Sequence, residues 1–274
     1  LPTPLHPPPA PSRPARREII MAAPFTYSTW QRAFAAISYG VVSTTITLFN
    51  KAVFHVYNFK FPNILTTCQI VLSILMMLVL RGVGVMKFEP FATATARRVM
   101  PLTLCWWIYV VSGVTALQYL SVPMFSVLRR IGVVPVLIGE YLAFNKVPTR
   151  RVGCALAVMM VGAMVATATD LTYSAWGYVY VGVCVVSTAV YLILIRKLKA
   201  DLGLSEEGLL YYNNVLALGM MVTWTAGTSS EFAEVGGYEH LRDPWFLFFL
   251  ALSCSQALLL NICIFRCTTI NSPL

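Results

Sequence analysis

Apolar residues along the chain collect into long runs that are separated by short polar and charged segments. Each run is about 20 residues long, the length of helix that crosses a hydrocarbon core of about 30 Å. The runs therefore predict an all-α membrane protein with eight transmembrane helices. Their approximate bounds are 31–50, 62–80, 101–119, 121–144, 151–168, 175–195, 209–227 and 245–265.

The composition agrees with a lipid environment. Residues of the AVILMFWYC set make up 58% of the chain and charged residues only 11%. The mean hydropathy is +0.71, whereas a soluble domain has about 25% charged residues. The formal net charge of +9 would point to a nucleic-acid partner in a soluble protein, but its distribution gives another explanation.

The basic residues alternate between the predicted loops. Fifteen lysines and arginines lie in or beside the chain termini and alternate loops, and three lie in the intervening loops. By the positive-inside rule, the N-terminus and loops 81–100, 145–151 and 196–208 are cytosolic, and loop 228–244 is lumenal. The basic excess thus reflects the orientation of the protein in the membrane, and we expect the lipid bilayer, but no nucleic acid, as a partner.

The first 29 residues differ from the rest of the chain. They are rich in proline and arginine and contain no apolar run, which predicts a disordered cytosolic tail and not a signal peptide. The first methionine is Met21. A second interpretation is therefore open, in which translation starts at Met21 and residues 1–20 derive from upstream sequence. The membrane domain then covers residues 31–274.

The remaining two basic residues, Arg129 and Arg130, lie in the middle of the fourth predicted helix. An arginine at this depth costs about 2.5–3.5 kcal/mol on insertion scales, so such residues usually face the protein interior or a water-filled cavity. Adjacent residues are about 100° apart around a helix, and at least one of the two should point inward. The pair predicts a binding site for a large anion.

Further polar residues mark two other predicted helices. Asn50 and Lys51 end the first helix and are candidate substrate-binding residues. For the lysine, snorkelling to the lipid headgroups is the alternative. Amides can pair with the edge of a nucleobase, and tyrosine rings can stack on its face. Four such side chains open the seventh predicted helix, namely Tyr211, Tyr212, Asn213 and Asn214.

The other polar residues show no catalytic or metal-binding pattern. The seven cysteines are scattered, mostly one per helix, and the three histidines lie in loops or in the tail. We therefore expect no metal, no cofactor, no disulfide framework and no enzymatic activity. Glu140, one turn inside the cytosolic end of the fourth predicted helix, is interpreted as a paired carboxylate.

A weak internal repeat relates the two parts of the chain. Residues 41–44 and 185–188 both read Val-Val-Ser-Thr, at an offset of 144 residues. At this offset, residues 31–168 form a first unit of five helices, and an odd number of helices would invert the second unit. The second unit begins near residue 175 and contains three helices up to residue 274. The repeat thus predicts a ten-helix bundle, of which this chain contains eight.

Several of these segments resemble nucleotide-sugar transporters of the drug/metabolite transporter superfamily, over residues 31–272. Residues 117–130 (LQYLSVPMFSVLRR) are similar to the UDP-sugar branch, and YYNN at 211–214 resembles the FYNN motif of GDP-mannose transporters. The Asn50-Lys51 pair and CTTINS at 267–272 complete the resemblance. It implies that Tyr212, Asn213 and Asn214 contact the base. Arg130 falls where CMP-sialic acid transporters carry a phosphate-binding lysine, whereas Arg129 is expected to pair with a helix-end carbonyl or to reach the lumenal face.

The resemblance also implies a fold and an activity. The expected fold is a bundle of ten helices whose central cavity faces the cytosol and the Golgi lumen in turn. The expected activity is import of GDP-mannose or a UDP-sugar in exchange for a nucleoside monophosphate. A sugar-phosphate translocator on the same fold is the alternative, since it too needs cations in the cavity. A lysine motif of the family is expected on a ninth helix, after residue 274. The identity of the sugar, and the choice between monomer and homodimer, stay open.

Overall fold

The computed structural model describes residues 28–144, 150–168 and 174–271 of the chain, and nearly all of these are helical. The predicted tail up to residue 27 and most of the 145–151 loop lie outside this part. The α-helices of the described residues are α1 (Thr29–Lys51), α2 (Pro62–Gly82), α3 (Thr93–Tyr119), α4 (Val122–Arg130), α5 (Val133–Phe144), α6 (Arg150–Ala168), α7 (Ala175–Leu202), α8 (Glu206–Thr228), α9 (Glu231–Glu234) and α10 (Pro244–Asn271).

Local sequence explains where several helices begin and end. Ser28 and Gln31 form a capping box at the start of α1, in which the Gln31 N–H donates to Ser28 Oγ at 3.2 Å. Ser205 caps α8 by accepting a hydrogen bond from the Gly208 N–H at 3.0 Å. Helix α7 ends at Gly203, whose φ of 62° is left-handed, a conformation that glycine adopts without steric cost.

The segment 121–144, predicted as one helix, is broken into α4 and α5 directly after the arginine pair. The N–H groups of Ile131 and Gly132 bond to carbonyls three residues back, at 3.0 and 3.1 Å. Pro135 has no N–H with which to continue the α-helical pattern. A Cβ at position 132 would lie 2.9 Å from a backbone oxygen of the preceding turn, so glycine permits the close approach at the break.

Five helices of the described residues are long and apolar enough to cross a membrane, by length and composition. They are Thr29–Phe54, Pro62–Gly82, Thr93–Ala116, Ala175–Leu202 and Pro244–Asn271. Helix α6 contains a shorter apolar stretch, Gly153–Val165. Helix α8 is not among the five helices, and the polar residues 211–214 make its start less apolar. The segments predicted to span the membrane are helical where they are described, except for the break in 121–144, but eight spans and a ten-helix bundle stay predictions.

The bundle is built on two antiparallel helix pairs, α1 with α10 and α3 with α7. At one end, which we call the Arg32 end, Asn271 Nδ2 donates to the backbone oxygen of Arg32 at 2.9 Å and joins α10 to α1. At the opposite end, the Phe59 end, Phe59 and Phe246 are buried in an aromatic cluster. The charge bias of the sequence predicts that the Arg32 end is cytosolic.

The exposed surface of the bundle is strongly apolar. Helix α1 leaves Trp30, Phe34, Ile37 and Leu48 exposed. In water, such side chains would carry a cost of about 25 cal/mol for each Å² of apolar area, whereas lipid tails are as apolar as the side chains themselves. This surface is therefore suited to contact with a bilayer.

A candidate anion-binding cavity

A cavity of about 780 Å³ lies between the helices of the bundle. Its walls come mainly from α1, α2, α3, α7 and α10, together with residues on both sides of the α4–α5 break. We call it the central lobe. A second cavity of about 610 Å³, the Arg32 lobe, adjoins it towards the Arg32 end. The two lobes share the lining residues Tyr39, Tyr109, Arg129, Thr188, Leu192 and Ile264.

Both arginines of the pair line the central lobe, and Arg129 also lines the Arg32 lobe. They occupy the last turn of α4, where the negative end of the helix dipole favours cations. No Asp or Glu occurs among the described residues that line either lobe. Within the described residues, neither arginine forms an ion pair with a carboxylate. The cavity is therefore positively charged.

Amide and hydroxyl groups line the part of the central lobe that is nearer the Phe59 end. Gln69 Nε2 donates to Asn50 Oδ1 at 3.2 Å and to Ser253 Oγ at 3.0 Å. Ser253 Oγ donates to Asn50 Oδ1 at 2.6 Å. This network joins α1, α2 and α10, and it brings Asn50 to the same cavity as the arginine pair. The side chain of Lys51 lies outside the described part of the structure.

Aromatic side chains complete the walls of the cavity. Tyr39 and Tyr109 line both lobes, and Trp106 lines the central lobe. Sequence reasoning missed all three, because an aromatic residue in an apolar helix is usually a core or lipid-facing residue. The one sequence signal was that Trp106 and Tyr109 are three residues apart, which places them on one face of α3.

The four residues that open α8 lie apart from the arginines. The Tyr212 hydroxyl donates to the Pro90 backbone oxygen at 3.0 Å and accepts from the Ala92 N–H at 2.9 Å. Asn214 Nδ2 lies 3.8 Å from the Met77 sulfur. None of the four lines either lobe. In this structure they connect α8 to α2 and to the segment before α3.

The remaining two of the four residues are Tyr211, which packs against an aromatic ring, and Asn213, which is buried. The Tyr211 ring packs on Phe88, with a centroid distance of 4.7 Å. Asn213 is buried, and its Oδ1 has no hydrogen-bond partner among the described residues. The structure thus separates the arginine pair from the aromatic and amide residues that the sequence placed in the same site.

Glu140 is buried near the Arg32 end of the bundle and forms an ion pair with Arg196, with 3.3 Å between Oε1 and Nη1. The interpretation of Glu140 as a paired carboxylate is therefore confirmed. Because this carboxylate is bound to α7, it is held away from the cavity lining and does not neutralise the arginine pair.

Comparison with known proteins assigns the chain to a family. Its residues 33–236 match the Triose-phosphate Transporter family. A UDP-N-acetylglucosamine transporter of Arabidopsis thaliana is 31% identical over 258 residues, which cover 90% of this chain and 75% of that protein. A UDP-sugar transporter of Caenorhabditis elegans is 29% identical over 254 residues, covering 89% and 75%. A GDP-mannose transporter of Vanderwaltozyma polyspora is 25% identical over 207 residues, covering 69% and 62%.

The family match and the apolar helices together show a multi-pass membrane protein of transporter type. They confirm the resemblance on which the sequence analysis relied, since the relatives are nucleotide-sugar transporters by name. The chain belongs to the Triose-phosphate Transporter family of the drug/metabolite transporter superfamily.

Proposed function

We propose that this protein transports nucleotide sugars, and that Arg129 and Arg130 bind the phosphate groups of the substrate. One observation carries the proposal: two arginines without carboxylate partners among the described residues face a cavity whose described lining contains no acidic side chain. Two opposite unit charges 4 Å apart attract one another by about 4 kcal/mol at an effective dielectric constant of about 20. A diphosphate would therefore be held strongly between the two guanidinium groups.

We propose a UDP-sugar as the substrate and not GDP-mannose. The relatives named for UDP-sugars share 31% and 29% identity with this chain, against 25% for the GDP-mannose transporter. The residues that suggested guanine, Tyr212, Asn213 and Asn214, are absent from the cavity lining in this structure. The Tyr39 and Trp106 rings instead offer aromatic surface on which a nucleobase can stack.

We further propose that transport is an exchange, in which a nucleoside monophosphate leaves the Golgi lumen as the nucleotide sugar enters. Both solutes present phosphate to the same cations, so each can occupy the site that the other vacates. Removing the anion leaves two adjacent positive charges without a carboxylate among the described lining residues, and such like charges repel one another. This cost would disfavour return of the empty transporter and would therefore favour exchange over leak.

The helix packing supports the proposal of an inverted repeat, with units at 31–168 and from 175 onwards. At the offset of 144 residues, α7 corresponds to α1, and α10 corresponds to α3. The pair α1–α10 thus corresponds to the pair α7–α3, and these are the two most extensively packed helix pairs. Because α1 and α7 run in opposite directions, the two pairs would be related by inversion across the membrane.

The test of the proposed function is an exchange assay with the purified protein in liposomes. Vesicles preloaded with UMP should take up UDP-N-acetylglucosamine faster than empty vesicles do, and faster than vesicles preloaded with GMP. Uptake that is driven by internal inorganic phosphate or a triose phosphate, but not by UMP, would contradict the proposal. That result would favour the sugar-phosphate translocator, which the name of the matched family also suggests.

A further inference from the structure

A third arginine borders the cavity, at the opposite end of the Arg32 lobe from the arginine pair. Arg32 lies in the first turn of α1 and lines this lobe together with Tyr39, Tyr109 and Arg129. Its backbone oxygen accepts the 2.9 Å hydrogen bond from Asn271 that joins α1 to α10. The start of α1 is therefore held against the lobe, and Arg32 is both exposed and part of the lobe lining.

Helix stability does not explain a cation at this position. The N-terminus of a helix carries the positive end of the dipole, so an arginine in the first turn is unfavourable there. The first turn of α1 contains no acidic residue, and Arg32 has no ion pair within the described residues. The described residues that line its lobe include no carboxylate. The charge of Arg32 contributes to the basic bias that predicts a cytosolic end, and its place in the lining also presents this charge to a solute that enters the lobe.

The spacing of the cations suits successive contacts with one anion. Arg32 and Tyr39 are seven residues apart on α1, which corresponds to about 10 Å along the helix axis. Tyr39 lines both lobes, as does Arg129. Exposed charges further apart than the Debye length of about 8 Å are largely screened, but charges that face a partly enclosed cavity are screened much less. Because Arg32 and Arg129 line the same lobe, Arg129 can attract a phosphate that is held at the level of Arg32.

We propose that Arg32 forms an outer anion site, which captures the phosphate groups of a solute at the mouth of the cavity before they reach Arg129 and Arg130. This inference rests on the proposed function, because it assigns the first step of binding to the same cavity. A cation at the mouth raises the rate of encounter with an anion, whereas the deeper cations determine how long the anion stays. The charge of Arg32 should therefore control the association rate and its dependence on salt.

The test measures UMP binding to the immobilised full chain in neutral detergent by surface plasmon resonance, at several salt concentrations. Arg32→Gln should lower the association rate constant by roughly three- to tenfold at low salt, and the difference from wild type should vanish at high salt. The dissociation rate should change little. Arg32→Lys retains the charge and should associate at nearly the wild-type rate. Arg98→Gln is the matched control, since Arg98 is also exposed near this end of the bundle but lines neither lobe.

Two results would overturn the inference. One is an association rate for Arg32→Gln equal to that of the wild type at every salt concentration, and the other is an equal decrease for Arg98→Gln. If Arg32 binds lipid headgroups instead, anionic phospholipid would raise the melting temperature of the wild type more than that of Arg32→Gln, while UMP association would be unaffected. Failure of the wild type to bind UMP would count against the proposed function itself.

Discussion

Arg129 and Arg130 are neighbours in sequence but line different parts of the cavity. Arg130 lines the central lobe, whereas Arg129 lines both lobes. The sequence predicted that Arg130 binds phosphate and that Arg129 pairs with a helix-end carbonyl or reaches the lumenal face. In the structure, α4 ends directly after the pair, and both arginines are part of the cavity lining. Arg130 remains the residue that best tests the phosphate site, because it borders one lobe alone.

We expect Arg130→Ala to abolish the thermal stabilisation of the purified protein by UMP and by UDP-sugar, since both ligands present phosphate to this residue. Arg130→Lys should retain part of the effect, because the charge remains and the bidentate geometry is lost. Melting temperatures measured over a UMP concentration series give the comparison. Arg98→Ala is the control and should be stabilised like the wild type. An Arg130→Ala protein that folds and is stabilised normally would remove this residue from the phosphate site.

At the scale of helices, the first residues of α8 were predicted to bind a ligand, and in this structure they hold helices together. Its first residues carried the prediction of base contacts, yet the Tyr212 hydroxyl makes both its hydrogen bonds to the backbone between α2 and α3. Tyr212 is only 1% exposed, so these bonds satisfy a polar group that would otherwise be buried without a partner. Helix α8 is thereby fixed to the segment that leads into α3.

Tyr212→Phe distinguishes the two roles of α8. If the residue is structural, the substitution should lower the stability by about 1–3 kcal/mol, because the Pro90 oxygen and Ala92 N–H lose their partner. Discrimination between UMP and GMP in thermal stabilisation should then stay unchanged. Tyr211→Phe is the matched control, since its hydroxyl has no hydrogen bond within the described residues. A large loss of base discrimination in Tyr212→Phe would support the base-contact prediction.

At the scale of the whole molecule, the two ends of the bundle differ in chemistry. Among the described residues, most lysines and arginines lie at the Arg32 end, including Arg81, Arg97 and Arg98. The Phe59 end carries the aromatic cluster and the acidic segment 229–243, in which Glu231 accepts hydrogen bonds from Asn63 Nδ2 at 2.6 Å and the Ile64 N–H at 2.9 Å. This asymmetry is the structural counterpart of the charge bias in the loops.

The predicted orientation can be tested with inserted glycosylation acceptors. An acceptor between residues 229 and 243 should be modified in cells, because this segment is predicted to face the lumen. An acceptor at 203–205, in the loop between α7 and α8, should not be modified and serves as the control. Modification at 203–205 alone would mean that the topology is inverted, and that Arg32 faces the lumen.

The helix positions could be predicted from the sequence because they depend on local chemistry, and the membrane orientation stays a prediction from signals of the same local kind. Apolar runs, capping residues such as Ser28 and Ser205, and the distribution of lysine and arginine each act within a few residues of where they occur. Arg129 and Arg130 could be selected as candidate site residues for the same reason, because a charge within an apolar run is evident without knowledge of its contacts in the folded protein.

The tertiary structure alone decided which polar residues share a cavity. It joined Asn50 and Gln69 to the arginine pair, added Tyr39 and Trp106, and left Tyr212 outside. A helix in lipid is apolar around most of its circumference, so its sequence carries little information about which face points inward. Only the packing of α1, α3, α7 and α10 against one another determines that direction.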